Sequence, residues 1–162
     1  MLSRVFRHLR RDGVKGVVSF SDPMPRTASC GTVVLRGHVG TIYQATNAIY
    51  TGRGTARTLV LLPDGTVLND RAAQKVRSQE QGHTYVEQRL VRFGATPMGW
   101  SEDPAEWLRA ALAQIGARRI RHHGAHRYVF RLGTTRDQHR IPLGVPAHPS
   151  YPKSPDASAV AA

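Results

Sequence analysis

The sequence predicts a mixed α/β chain of the α+β kind, followed by a helical section and a basic extension. Three observations predict it. Short apolar runs bounded by Gly, Pro and Asp fill residues 1–68, the pattern of strands and turns. Apolar residues recur at three- and four-residue steps through 69–116, the pattern of packed helices. An arginine-rich stretch, 117–140, reads as a basic hairpin, and 141–162 as a disordered tail dominated by Pro, Ser and Ala.

Each element has its own signal. Leu2, Val5, Phe6 and Leu9 lie at i, i+3, i+4 and i+7, one face of a helix. Arg4, Arg7, Arg10 and Arg11 cover the other face, and Asp12-Gly13 ends it. Val14 to Phe20 reads as a buried strand closed by Asp22-Pro23, and Val33 to Leu35 as the apolar edge of a loop. His38 to Asn47 reads as a short helix weakened by β-branched Thr41, Ile42 and Thr46. Ala48 to Thr51 and Thr58 to Leu62 read as strands, and Pro63-Asp64-Gly65 as a turn into Thr66-Val67-Leu68.

Asn69 and Asp70 cap a helical region from Arg71 to Phe93 that Gly82 divides and Gly94 ends. The best-marked helix follows. Asp103 stands at its cap, Pro104 at the first helical position and Glu106 three residues after the cap. Trp107, Leu108, Ala111, Leu112 and Ile115 supply its apolar face, and Gly116 stops it. Arg118 to Leu132 centres on Gly124 and carries Tyr128-Val129-Phe130, hence the hairpin reading.

Composition narrows the function classes. The 162 residues hold 23 Lys and Arg against 11 Asp and Glu, a formal net charge of +12. Such a chain attracts polyanions, with nucleic acid ahead of an anionic membrane surface. Cys30 is the one cysteine, which excludes an internal disulfide framework and a multi-Cys zinc site. No apolar run approaches the ~20 residues of a membrane span, and no secretory signal follows Met1. The expected setting is cytoplasmic, with no membrane partner.

Seven of the 23 basic residues fall between Arg118 and Arg140, opposed there by Asp137 alone. Arginine forks pair bidentately with phosphates and read guanine edges. The DNA-contacting candidates are Arg53, Arg57, Lys75, Arg77, Arg118, Arg119, Arg121 and Arg127. The plain alternative for them is a solvated basic face. Tyr128 and Phe130 suit base stacking or, at i and i+2 of a strand, core packing. His122, His123, His126 and His139 share the window, but no Cys partner or HExxH spacing accompanies them, so no metal site is expected. Gly52-Arg53-Gly54 is followed by a strand rather than a helix N-terminus, so it reads as a turn and not a phosphate loop.

The densest motif runs from Gly37-His38-Val39-Gly40-Thr41-Ile42-Tyr43-Gln44 through Ala45-Thr46-Asn47-Ala48-Ile49-Tyr50-Thr51-Gly52-Arg53. It resembles the C-terminal part of the GNAT acyltransferase fold, where a tyrosine-bearing helix leads into a strand. More narrowly it is similar to the phage Mom family of DNA-modifying proteins, together with Gly16 to Asp22 and Asn69-Asp70-Arg71. The resemblance spans roughly residues 1–95 and, more weakly, the basic stretch.

That resemblance implies acetyl-CoA or a related acyl-CoA as cofactor, and double-stranded DNA as partner. It also implies a transferase that carbamoylmethylates the N6 amine of adenine and so protects DNA from restriction. By position, Tyr43 matches the tyrosine that protonates a departing thiolate, a task suited to a phenol, which is protonated at neutral pH. Asp22 is the candidate base or orienter for the adenine amine. Ser19 and Asn47 are candidate polar contacts. Arg36 stands seven residues before Tyr43, where the family often has a cofactor-binding asparagine. Tyr43 and Asn47 have structural alternatives as a core residue and a helix C-terminal residue. The family's pyrophosphate loop precedes the helix matched by Leu2 to Arg11, so that loop and the strands before it are expected outside these 162 residues. A non-catalytic basic DNA-binding module, or a remnant of such an enzyme, is the alternative. A small nuclease is a third, for which no carboxylate pair is found.

Overall fold

The computed structural model describes residues 2–156. In chain order these form α1 (Leu2–Arg11), β1 (Gly16–Ser21), β2 (Arg26–Thr27), β3 (Val33–Leu35), α2 (Thr41–Ala45), β4 (Ile49–Arg53), β5 (Arg57–Leu61), β6 (Val67–Leu68), α3 (Asp70–Arg77), α4 (His83–Arg92), α5 (Pro104–Gln114), β7 (Arg118–His122), β8 (His126–Arg131) and α6 (Thr135–Arg140). This is a mixed helix-and-sheet fold with antiparallel pairing, as the α+β reading expects. The chain divides into two compact units. The first is built from the described parts of Met1–Met24, Gly37–Ala56 and His123–Asp156, and the second from Pro25–Arg36 and Arg57–His122.

In the first unit β8 is the central strand of the order β1-β8-β4. Gly16 to Ser21 of β1 run antiparallel to Arg131 to His126, and Tyr50 of β4 lies opposite Tyr128. Being central, β8 alternates strictly, burying His126, Tyr128 and Phe130. The amphipathic α1 lays Phe6 and Leu9 on this face, with the Phe6 and Phe130 rings 4.7 Å apart. Its arginines stay in water. Ala48, Tyr50, Tyr128, Phe130 and Leu132 are the core, with Tyr43 packed against it.

The second unit pairs β6-β5-β7 and covers the sheet with α3, α4 and α5. Leu62, Leu68, Val76, Leu90, Trp107, Leu108 and Ala111 are buried together, each large side chain contributing about 1.5–3 kcal/mol of burial. Caps fix the helix starts where the sequence places them: Asn69 accepts from Ala72 N at 2.7 Å, and Asp103 from Ala105 N and Glu106 N. The β2–β3 ladder crosses Gly65, where a Cβ would stand 2.6 Å from Val34 Cγ2.

Several expectations are corrected. The basic hairpin of 117–140 does not form, because β7 pairs with β5 and β8 with β1 and β4. Gly124, with φ +96°, lies against Gly54 instead of closing a two-strand turn. The boundary at residue 68 is likewise absent: Pro25–Arg36 and β5 join the helices in the second unit. Val33 to Leu35 is a strand, not a loop edge. The helix expected over His38 to Asn47 shortens to Thr41–Ala45, since left-handed Gly40 and Asn47 bracket it. One face of β1 is open, with Val18 54% and Phe20 56% exposed, so it is not buried on both sides.

The tail also differs from expectation over 141–156, the remainder lying outside the described residues. α6 begins with a full capping box, Thr134 bonding Asp137 N and the Asp137 carboxylate bonding Thr134 N. Beyond it the chain is pinned to the first unit. His148 N donates to Tyr50 O at 2.8 Å, Tyr151 Oη to Ala48 O at 2.6 Å, and Asp156 pairs with Arg53.

Candidate active site

The loop 37–40 and α2 bring the motif's tyrosine onto the sheet of the first unit. Gly40 caps α2 in the left-handed conformation at φ +73°, where a Cβ would stand 2.7 Å from Tyr128 Cε2 and 2.8 Å from Tyr43 Cδ2. Glycine is required there on both counts. One turn on, the Tyr43 ring packs against Tyr128 at 5.4 Å and edge-on to Phe130 at 6.1 Å. Its core role is therefore real. Its hydroxyl takes no hydrogen bond from the described residues, so packing fixes the ring and leaves the acidic end uncommitted.

Tyr128 behaves oppositely. Its hydroxyl donates to Val39 O and accepts from Gln44 Nε2 at 3.1 Å, while the same amide reaches Val39 O and Pro152 O. Burial pushes this phenol's pKa up. Ser21, at the end of β1, faces that hydroxyl and lowers its pKa against the effect of burial. Among the described residues Ser21 Oγ makes no hydrogen bond of good geometry, and it is buried beside Gly40.

The four residues expected to carry chemistry all fall in this unit. Ser19 is half-buried on β1 opposite Tyr128. Asp22 follows β1, its Oδ1 accepting from Met24 N at 3.0 Å and its carbonyl from His38 N at 2.8 Å. Asn47 terminates α2 in the left-handed conformation and is exposed. Arg36, expected beside the cofactor, belongs to the second unit and is exposed after β3.

A second polar group stands behind Tyr50. Its hydroxyl meets His126 Nδ1 at 2.7 Å, both side chains being buried. Burial lowers the His126 pKa, and the Arg53 charge adds to the effect, favouring neutral imidazole. Its Nε2 is buried without a partner. Arg53 holds Asp156 through two bonds, of 2.8 and 2.5 Å, which pulls the Asp156 carboxyl below its usual range. Asn47, Tyr50, His148 and Tyr151 then wall a cleft of about 290 Å³.

The expected DNA contacts are distributed over both units. Arg127 donates to Thr51 Oγ1 and O, and Arg53 is engaged by Asp156, so both guanidinium groups have protein partners. In the second unit Arg57, Arg119 and Arg121 are exposed on one sheet and Arg77 on α3, whereas Lys75 is half-buried and Arg118 donates to Thr27 O. Ser21, Gln44 and Tyr50 were not singled out by sequence, and Tyr128 and His126 were weighed there only for base stacking and for metal binding. Only Ser21 carried a usable signal, two positions from Ser19 and therefore on the same face of β1. Among the described residues no group of three or more His, Cys, Asp and Glu is arranged to hold a metal. Nor is any described helix long and apolar enough to cross a membrane.

The model of the Mom protein family matches residues 1–153. No curated protein and no solved structure gives a match.

Proposed function

The chain belongs to the Mom protein family, a family of phage DNA modification, and from that premise we propose that it is a transferase acting on the N6 amine of adenine in double-stranded DNA. The product is the carbamoylmethyl base, and the consequence is protection from restriction in the cytoplasm of the infected cell. One observation carries the reading. The motif tyrosine is held by its ring against Tyr128 and Phe130 while its hydroxyl has no hydrogen-bond partner among the described residues, in the unit that also holds Ser19, Asp22 and Asn47.

N6 is reachable only after the base leaves the stack, so the enzyme acts on an extruded adenine. The rings of Tyr50, His148 and Tyr151 and the amide of Asn47 form a cleft suited to such a base. Asp22 accepts a hydrogen bond from the amine and orients it, with the Met24 amide fixing the carboxylate. Arg57, Arg77, Arg119 and Arg121 meet backbone phosphates.

The donor would be acetyl-CoA or a related acyl-CoA, which by plain acyl transfer would give the N6-acyl base and the free CoA thiol. The carbamoylmethyl group, joined through its methylene carbon and bearing an amide nitrogen, would need a CoA derivative that already carries that unit on sulfur. Two groups of this unit fit such a donor: the buried Ser21 Oγ and the uncommitted Tyr43 hydroxyl. Ser21 offers a hydrogen bond, and Tyr43 holds a proton for a leaving thiolate. A second reading, a DNA-binding module without catalysis, draws on Tyr43's place in the core, which such a module would also keep.

Mass analysis of nucleosides from cells expressing the protein tests the proposal, with Tyr43→Phe alongside. Carbamoylmethyladenine with the native chain and its loss with the variant is the expected result. Unmodified adenine with the native, folded chain rejects it, and retained DNA binding would then leave the module reading.

A further inference from the structure

The first unit contains a second, larger cleft, of about 570 Å³, that the transferase reading does not use. Its charged wall is Arg7 and Arg10 of α1 and Arg131 at the end of β8, with His139 of α6 also lining it, and its lining includes Phe6 and Phe130. Arg7 and Arg10 are three residues apart, so they share one face of α1. No carboxylate lines this cleft. The nearby Asp137, close enough to feel Arg10 and Lys15, is committed to capping α6 through Thr134 N and Oγ1. Arg131 Nε is buried with no hydrogen-bond partner.

Three guanidinium groups gathered without a counter-ion repel one another, and a buried N–H without an acceptor is unfavourable. The charge repulsion is relieved by an occupant of the cleft, an anion with several acceptor oxygens. Arginine forks match phosphate in particular, and the aromatic lining matches an apolar or planar part beside it. From this we infer that the cleft is a binding site for a phosphate-bearing ligand, presented either by a soluble nucleotide or by the DNA backbone. The inference does not rest on the transferase reading, since only Asn47 and Ile49 are shared with the cleft proposed for the extruded base and every charged residue of this cleft lies outside that one.

Calorimetric titration with ADP and, separately, with a short DNA duplex tests it. The variant is Arg7→Gln/Arg10→Gln, both on the water-facing side of a surface helix. Arg131→Lys is the second variant, keeping charge but removing Nε. Arg92→Gln/Arg109→Gln, which removes two exposed charges from the second unit, is the control. Weakening of ADP binding by roughly tenfold or more in both variants, with duplex binding unmoved, supports the inference and assigns the soluble source. Weakened duplex binding, with the salt slope reduced by about two in the double variant, supports it with the backbone as source. Affinities for both probes equal to those of the control variant overturn it. The α1 variant decides alone if Arg131→Lys does not fold.

Discussion

In the second unit the interior is hydrocarbon and one indole: Leu62, Leu68, Val76, Leu90, Leu108 and Trp107. In the first unit it is largely phenol, phenyl and imidazole: Tyr50, Tyr128, Phe130 and His126 are buried, and Tyr43 packs against them. A hydrocarbon core is indifferent to its surroundings and stabilises by area alone. A core of tyrosine and histidine must satisfy each buried polar atom, and here Val39, Gln44 and the Tyr50–His126 pair do so. Among the described residues it leaves Ser21 Oγ, His126 Nε2 and Arg131 Nε without hydrogen bonds of good geometry. Charge follows the same division: the first unit has eleven Lys and Arg against four Asp and Glu, the second twelve against seven. On the proposed reading, chemistry falls to the first unit and support to the second.

The largest expected effect comes from the support. Trp107 is buried, its Nε1 donating to Thr96 O at 2.9 Å. Trp107→Ala should cost about 3–5 kcal/mol in urea denaturation, while adenine modification per folded molecule stays at the native level. A matching loss of activity in the folded fraction would break the division.

Gly40→Ala should cost less stability but reach the chemistry. Its Cβ would press on both tyrosine rings from a left-handed backbone, a penalty of about 1–3 kcal/mol. Modification should fall in the molecules that remain folded, because Tyr43 must move. Unchanged modification per folded molecule would separate Tyr43's position from activity.

The smallest effect is a difference in pH response. The folded-state pKa of His126 lies below its unfolded value, so the stability it contributes is present above about pH 6.5 and is lost as pH falls through the folded value. Asp156 follows the same sign with its onset near pH 4, as does Asp64 in the second unit. Burial pushes the Asp64 carboxyl up, but Thr66 and Arg89 together bring it below its usual range. Hydrogen exchange corrected for intrinsic rates should therefore show β4 and β8 loosening as pH falls below about 6.5, while α3 to α5 hold. His126→Gln should abolish that response. Equal loosening of both units would contradict it.

What was legible in the sequence was local. The caps at Asn69 and Asp103 and the periodicity of α3 to α5 were readable, because a helix closes its bonds within a few residues. Strand partners were not. The stretch from Arg118 to Leu132 has the form of a hairpin, yet each strand finds its partners far away, Arg131 opposite Gly16 and Arg119 opposite Val60. No local pattern encodes such a choice. The tail misled for a related reason: Pro, Ser and Ala set its composition, but Tyr151 and Asp156 are enough to pin it. At the site, the tyrosine motif was visible as a motif. The neutral His126 and the buried Ser21 were not, since each depends on groups brought from distant parts of the chain.

The central claim is that Tyr43 serves the fold with its ring and the reaction with its hydroxyl. Tyr43→Phe separates the two, measured as carbamoylmethyladenine formed per folded molecule together with the denaturation midpoint. Modification should fall by about a hundredfold or more, while stability stays within about 0.5 kcal/mol of native. A variant that modifies DNA at the native level would contradict the account.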